Sequence, residues 1–128
     1  MQPVDWQVLI VEDEADSLEV MQAILTHQGI TSTGVESAEL ALTALNFIKP
    51  NLIIIDLSLP MMDGWAFLER LQANPMLNDV PKVAITAFYT PIVAAKALEA
   101  GFDAFFPKPI DVTSFVKDLG LIIAEKLT

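Results

Sequence analysis

The side chains of this sequence that could do chemistry stand directly behind short apolar runs. Glu12-Asp13-Glu14 follow one run, Asp56 ends a second, Thr86-Ala87 end a third, and Pro107-Lys108-Pro109 follow a fourth. Carboxylates are hard oxygen ligands. One or two of them with free coordination positions suit Mg²⁺, which favours waters and phosphate oxygens as its remaining ligands. An ammonium group neutralises one negative charge, and a hydroxyl adds a hydrogen bond. A carboxylate with a divalent ion, a lysine and a hydroxyl beside it is a plausible phosphoryl acceptor, because that transfer depends mainly on positioning and charge neutralisation.

These groups span almost the whole sequence, so the fold must gather them. The runs Trp6 to Val11, Thr31 to Val35, Leu52 to Ile55, Lys82 to Thr86 and Ala104 to Phe106 are too short for helices. Residues 8–11 and 52–55 are apolar without alternation, the pattern of strands covered on both faces. Between the runs the apolar spacing is helical. Leu18, Met21, Ile24 and Leu25 share one face of a helix over about 14–28, closed by Gly29 in a left-handed conformation. Ser37 caps a second helix carrying Leu40, Ala41, Leu45 and Ile48 and stopped by Pro50. Trp65, Leu68 and Leu71 mark a third, which stops near Asn74-Pro75. Thr90 and Pro91 start a fourth through Ile92, Val93, Ala97 and Leu98 to Gly101, and Asp111 caps a fifth with a stripe of Val112, Phe115, Val116, Leu119 and Ile123.

Five strand-helix units with right-handed crossovers predict an α/β fold, a doubly wound parallel sheet with helices on both faces. Ligands in such sheets bind beyond the carboxyl ends of the strands, near a topological switch point. With strand order 2-1-3-4-5 the first and third strands are neighbours, which brings Asp13 within a few ångströms of Asp56. Two carboxylates about 5 Å apart repel by roughly 3 kcal/mol at an effective dielectric of about 20. A cation must offset that repulsion or a pKa must rise.

Composition sets the outer limits. The 128 residues suit one domain over 1–128, and 53% apolar residues supply a core. There is no cysteine, which excludes a disulfide scaffold and a thiolate metal site. Seven Lys and Arg against seventeen Asp and Glu give a net charge of −10, opposed to direct contact with nucleic acid. No apolar run is long enough to span a bilayer, and Met1 to Asp5 does not resemble a signal peptide, so the expected location is cytoplasmic.

The set Glu12-Asp13, Asp56, Thr86-Ala87 and Lys108-Pro109, with the stretch from Asp56 through Leu59-Pro60 to Asp63-Gly64, resembles the receiver domain of two-component response regulators. The resemblance covers essentially the whole chain and implies a flavodoxin-like (βα)5 sandwich. It implies that Asp56 accepts a phosphoryl group from a phosphohistidine of a histidine kinase or a histidine phosphotransfer protein. Asp13, Asp56 and the backbone carbonyl of Ser58 would hold Mg²⁺ or Mn²⁺, with Glu12 acting through water. Lys108 would pair with a phosphoryl oxygen, and Thr86 would turn toward the phosphorylated group. Ala87 leaves room and offers its backbone N–H, and Pro109 follows a cis peptide bond. Phe105 occupies the switch position where tyrosine is usual, so its ring has no hydroxyl to bond. Ser58 and Phe88 stand at the two variable positions that influence phosphoryl lifetime in this family. The implied partners are that phosphodonor protein and a downstream protein meeting the fourth helix, fifth strand and fifth helix. A phosphorylation-dependent homodimer is also compatible with this pattern.

Other chemistries fit less well. A haloacid-dehalogenase-like phosphatase places a second Asp two residues after its nucleophile, where Ser58 stands, and needs a cap domain. A flavodoxin-like electron carrier needs a Ser/Thr/Gly-rich phosphate loop after the first strand, where Glu12-Asp13-Glu14 would repel it. A docking module that no longer takes phosphate would have no need of the intact acceptor set. Singly, Glu12 and Asp13 could serve only the positive end of the first helix, and His27 suits that helix's C-terminus. Asp63-Gly64 reads as a turn, Met61-Met62 as packing on the third helix, Trp6 as a cover at the far end of the sheet, and Trp65 as a residue near the acidic pocket.

Overall fold

The computed structural model describes residues 2–127, so the outermost residues of the expected 1–128 domain lie outside the described part. Five strands, β1 (Gln7–Val11), β2 (Thr31–Val35), β3 (Leu52–Asp56), β4 (Lys82–Thr86) and β5 (Ala104–Pro107), form one sheet. All neighbours are parallel, in the order β2-β1-β3-β4-β5. The helices are α1 (Ala15–His27), α2 (Ala38–Ala44), α3 (Gly64–Gln72), α4 (Pro91–Ala100) and α5 (Phe115–Leu127). Strand order and helix number match the expectation.

The uninterrupted apolar strands are explained by two cores. Leu9, Val11, Ile53, Ile55 and Ala84 point into one core with Phe67, Leu68, Leu71 and Ala97 of α3 and α4. Val8, Ile10, Leu52, Ile54, Val83 and Ile85 point into the other with Met21, Leu25, Phe115, Leu119 and Ile123 of α1 and α5. Alternate strand residues face opposite sides, so a sheet covered on both sides needs every position apolar. The edge strand β2 is the exception, with Thr31 exposed and Ser32 and Thr33 half-buried. Register carries chemistry to one edge. Val11 pairs with Ile55, Asp56 with Ile85 and Thr86 with Pro107, so Glu12, Asp56, Thr86 and Lys108 emerge together.

Local signals hold up where they rest on caps. The Ser37, Asp63 and Thr90 side chains each accept a backbone N–H in the first turn of their helices. Gly29 adopts φ 76°, with Gly29 N–H bonding the Thr26 carbonyl and Ile30 N–H the Leu25 carbonyl. Helix faces are less well anticipated. Leu40 and Val112, placed on apolar helix faces, are exposed, and so are Ile92 and Leu98 of the fourth helix, which the receiver resemblance offers to a downstream protein. Val112 is exposed because α5 begins only at Phe115. Asp111 instead starts a preceding turn, its carboxylate accepting the Thr113 N–H and its carbonyl the Phe115 N–H. Helix α2 also ends early, and Leu45 and Ile48 pack on the core from the turn behind it. Met61 is 91% exposed at φ 62°, so only Met62 of that pair meets the core. Trp6 lies just before β1 and is buried as expected.

One buried charge at the far end of the sheet was not anticipated. Lys82, 5% exposed, bonds the Leu77 carbonyl with its ammonium, while its N–H donates to Asp103 at 2.9 Å. Asp103 also pairs with Lys126 at 3.1 Å, linking the last turn of α5 to the start of β4. Burial, and then the nearby Lys126 charge, push the Lys82 pKa down.

Candidate functional site

Strands β1 and β3 end side by side at the switch point, where β1 pairs with β2 on one edge and β3 on the other. Glu12 and Asp56 are almost fully buried, at 1% and 2% exposure, whereas Asp13 is open to solvent. Carboxylate oxygens of Glu12, Asp13 and Asp56 all lie within 4.8 Å of one another. The helix α3 start fixes the floor of this pocket. A Cβ on Gly64 would come within 2.5 Å of the Asp56 carbonyl oxygen and 2.7 Å of the Leu57 Cα, so only glycine allows this approach. Asp63, beside it, caps α3 rather than joining the acids, as expected.

Lys108 enters from the loop after β5, held by its own N–H to the Thr86 carbonyl at 2.8 Å. Its ammonium pairs with Asp56 at 3.0 Å, contacts Glu12, and reaches the more exposed Glu14 at 3.1 Å. The Lys108-Pro109 peptide is cis. The other Asp56 oxygen accepts the Ser58 N–H at 2.8 Å. Thr86 is buried at the end of β4, and its hydroxyl accepts the Phe88 N–H at 3.1 Å. Ala87 is exposed, and Phe88 is 72% exposed. Phe105 is half-buried against the core below α3 and α4.

Electrostatics divides the two buried acids. Burial raises the Glu12 pKa to about 7, helped by its hydrogen bond to Asp56 and the charge there. Burial also pushes Asp56 upward, but hydrogen bonds from Glu12, the Ser58 N–H and Lys108 outweigh it and hold Asp56 below the usual carboxylate range. Lys108 is held above its ordinary value by the Glu12 and Asp56 carboxylates despite burial. Of the two buried acids, Glu12 is therefore the one more readily protonated and Asp56 the more acidic.

The set also suits a divalent cation. Glu12 Oε1 is buried without a directed hydrogen bond among the described residues, although Lys108 lies against it. An oxygen cluster with two buried carboxylates and an exposed third has the hard, oxygen-only character of a Mg²⁺ site.

The response regulator receiver domain family matches this chain over residues 8–119. The chain belongs to that family. Among relatives of this receiver domain, the phosphate regulon transcriptional regulatory protein PhoB of Escherichia coli is 32% identical over 110 residues, covering 86% of this chain and 48% of PhoB. The receiver domain thus spans about half the length of that regulator. The signal receiver domain of a signal transduction histidine kinase from Syntrophus aciditrophicus is 29% identical, with a TM-score of 0.84 over 94% of this chain and 91% of that one. The receiver domain of a sensor histidine kinase from Pseudomonas aeruginosa is 25% identical, with a TM-score of 0.84 over 93% of this chain and 98% of its own. That structure holds a magnesium ion coordinated in its active site cleft.

Three features of the receiver site escaped the sequence reading. Glu14 was seen only as part of the acidic triplet, yet it shares Lys108, a pairing its place two residues past Glu12 could have suggested. Tyr89 stacks on Phe105, with ring centroids 5.4 Å apart, through a loop path that no sequence signal specifies. Trp65, next to the Gly64 that abuts Asp56, also packs edge-on to Phe102 at 5.9 Å and lines a groove with Val93 and Lys96 of α4, contacts that helical spacing does not specify.

Proposed function

We propose that this receiver domain is a phosphorylation switch whose acceptor is Asp56. The observation that carries the reading is the buried Asp56 anion between the Lys108 ammonium and the Ser58 N–H, beside two further carboxylates. An Asp56 oxygen attacks the phosphorus of a phosphohistidine on a kinase or phosphotransfer protein. The phosphorus–nitrogen bond breaks and the imidazole leaves. Lys108 neutralises an oxygen of the transferred group, and Thr86 turns its hydroxyl toward that group, with Ala87 contributing its N–H. Asp13, Asp56 and the Ser58 carbonyl would hold Mg²⁺, with Glu12 close behind them. When bound, the ion neutralises charge on the phosphoryl oxygens.

The change is read out through Thr86 and Phe105 at the face formed by α4, β5 and α5. Exposed Ile92 and Leu98 supply apolar contact there for a downstream protein. A near-complete switch needs roughly 10⁴-fold preference of the phosphoryl group for one arrangement. Incubation with acetyl phosphate tests the reaction class. Uptake of an acid-labile phosphoryl group only when Mg²⁺ is present supports it, and no uptake with Mg²⁺ removes it.

Phe88 sets how long the group survives. Its ring is 72% exposed two residues past Thr86, at the variable position from which it would obstruct an attacking water. Phe88→Glu should shorten the phosphoryl half-life by about tenfold, because a carboxylate can orient that water as a general base. The half-life of the isolated phosphoprotein after removal of the donor measures this, and an unchanged decay would contradict it.

A further inference from the structure

The loop between β4 and α4 is four residues long and anchored at both ends. At one end the Thr86 hydroxyl accepts the Phe88 N–H at 3.1 Å, and at the other the Thr90 hydroxyl accepts the Val93 N–H at 3.1 Å. Between these anchors the Tyr89 ring crosses to β5 and lies on Phe105, tilted by 46° at a centroid distance of 5.4 Å. Phe105 lies opposite Ala84 in the sheet, two residues before Thr86 on β4. A closed path therefore runs from the Thr86 hydroxyl through the Phe88 N–H to the Tyr89 ring, across to Phe105, and back through the sheet. Tyr89 is 51% exposed, so little burial holds its ring in place, and its hydroxyl has no partner among the described residues. What Tyr89 contributes is the ring contact.

We propose that Tyr89 is a positioning residue for the switch: its ring clamps the β4–α4 loop to Phe105 and so holds Thr86 in its unturned arrangement. The proposal rests on the reading of Asp56 as phosphoacceptor. It adds a residue that touches neither the phosphoryl group nor the metal. The clamp belongs to the arrangement in which the Thr86 hydroxyl is engaged by its own loop. When that hydroxyl turns toward Asp56 it draws the Phe88 N–H with it, and the Tyr89 ring leaves its place on Phe105. Removing the ring therefore favours the turned arrangement.

The chain contains a single tyrosine, so 3-fluorotyrosine incorporation gives one fluorine resonance, at Tyr89. Beryllofluoride with Mg²⁺, a mimic of the phosphoryl group, should produce a bound-beryllofluoride signal and a shift of the Tyr89 resonance. In Thr86→Ala, with beryllofluoride raised until the bound signal appears, the Tyr89 shift should be lost. Tyr89→Ala should bind beryllofluoride roughly two- to tenfold more tightly, the range an aromatic pair contributes to an equilibrium. Tyr89→Phe, which keeps the ring, should bind as the parent does. Bound beryllofluoride with an unmoved Tyr89 resonance overturns the proposal and leaves the receiver reading intact. Equal affinity in Tyr89→Ala and the parent also overturns it. Absence of both beryllofluoride binding and phosphoryl uptake overturns the two together.

Discussion

Lys108→Met is expected to slow phosphoryl acceptance by about 10²- to 10³-fold, the usual cost of removing one group aimed at developing charge. The ammonium is 3.0 Å from Asp56, touches Glu12 and stands 3.1 Å from Glu14, so no other cation is available to the pocket among the described residues. Its removal leaves the buried acids facing one another, and Glu12, already raised to about 7, must rise further. Methionine keeps the apolar stem, which packs beside Asp56, so the fold should survive. The measurement is the initial rate of phosphoryl incorporation from acetyl phosphate at saturating Mg²⁺. An unchanged rate would show that Lys108 serves only to neutralise the resting pocket and makes no contact with the transferred group.

Gly64→Ala is expected to cost stability at the upper end of the ~1–3 kcal/mol range for overpacking. The added Cβ would meet the Asp56 carbonyl oxygen at 2.5 Å and the Leu57 Cα at 2.7 Å. Both are backbone atoms in a fully buried stretch, so neither can swing aside. A loss near 3 kcal/mol lowers the thermal midpoint by roughly 10 °C in a domain of this size. Gly34→Ala is the informative contrast, because its nearest neighbours are the Leu18 methyl carbons at 2.7 and 2.9 Å, the ends of a flexible side chain. Thermal unfolding of the two variants should separate them clearly. Equal losses would mean that the turn from β3 into α3 is not the rigid floor of the acidic pocket.

The order of the elements and the acidic edge were legible for one reason. A parallel sheet covered on both faces demands unbroken apolar strands, so every polar residue at a strand end is conspicuous. Asp56 behind four buried residues and Lys108 between prolines are such cases. Helix faces were harder to read. An apolar residue at helical spacing does not reveal how wide the covered arc is, and Leu40, Ile92 and Leu98 fall outside it. Val112 fails for a different cause, since the Asp111 carboxylate stabilises a turn where a helix was expected. Lys82 was hidden because its ammonium is satisfied by the Leu77 carbonyl, a backbone group on which sequence is silent. The same holds for the Tyr89–Phe105 pair, which depends on how the loop between them is folded. Charge states were only partly foreseeable. Repulsion between the acids was clear, but which acid is raised depends on backbone geometry, the Ser58 N–H reaching Asp56 at 2.8 Å and the Glu14 N–H reaching Glu12 only at 3.3 Å.

The central claim is that Asp56 accepts the phosphoryl group. Intact mass spectrometry of the parent and of Asp56→Asn, each incubated with acetyl phosphate and Mg²⁺, tests it most directly. The parent should gain one acid-labile phosphoryl mass that disappears when Mg²⁺ is chelated, and Asp56→Asn should gain none. An equal, metal-dependent gain in Asp56→Asn would contradict the assignment.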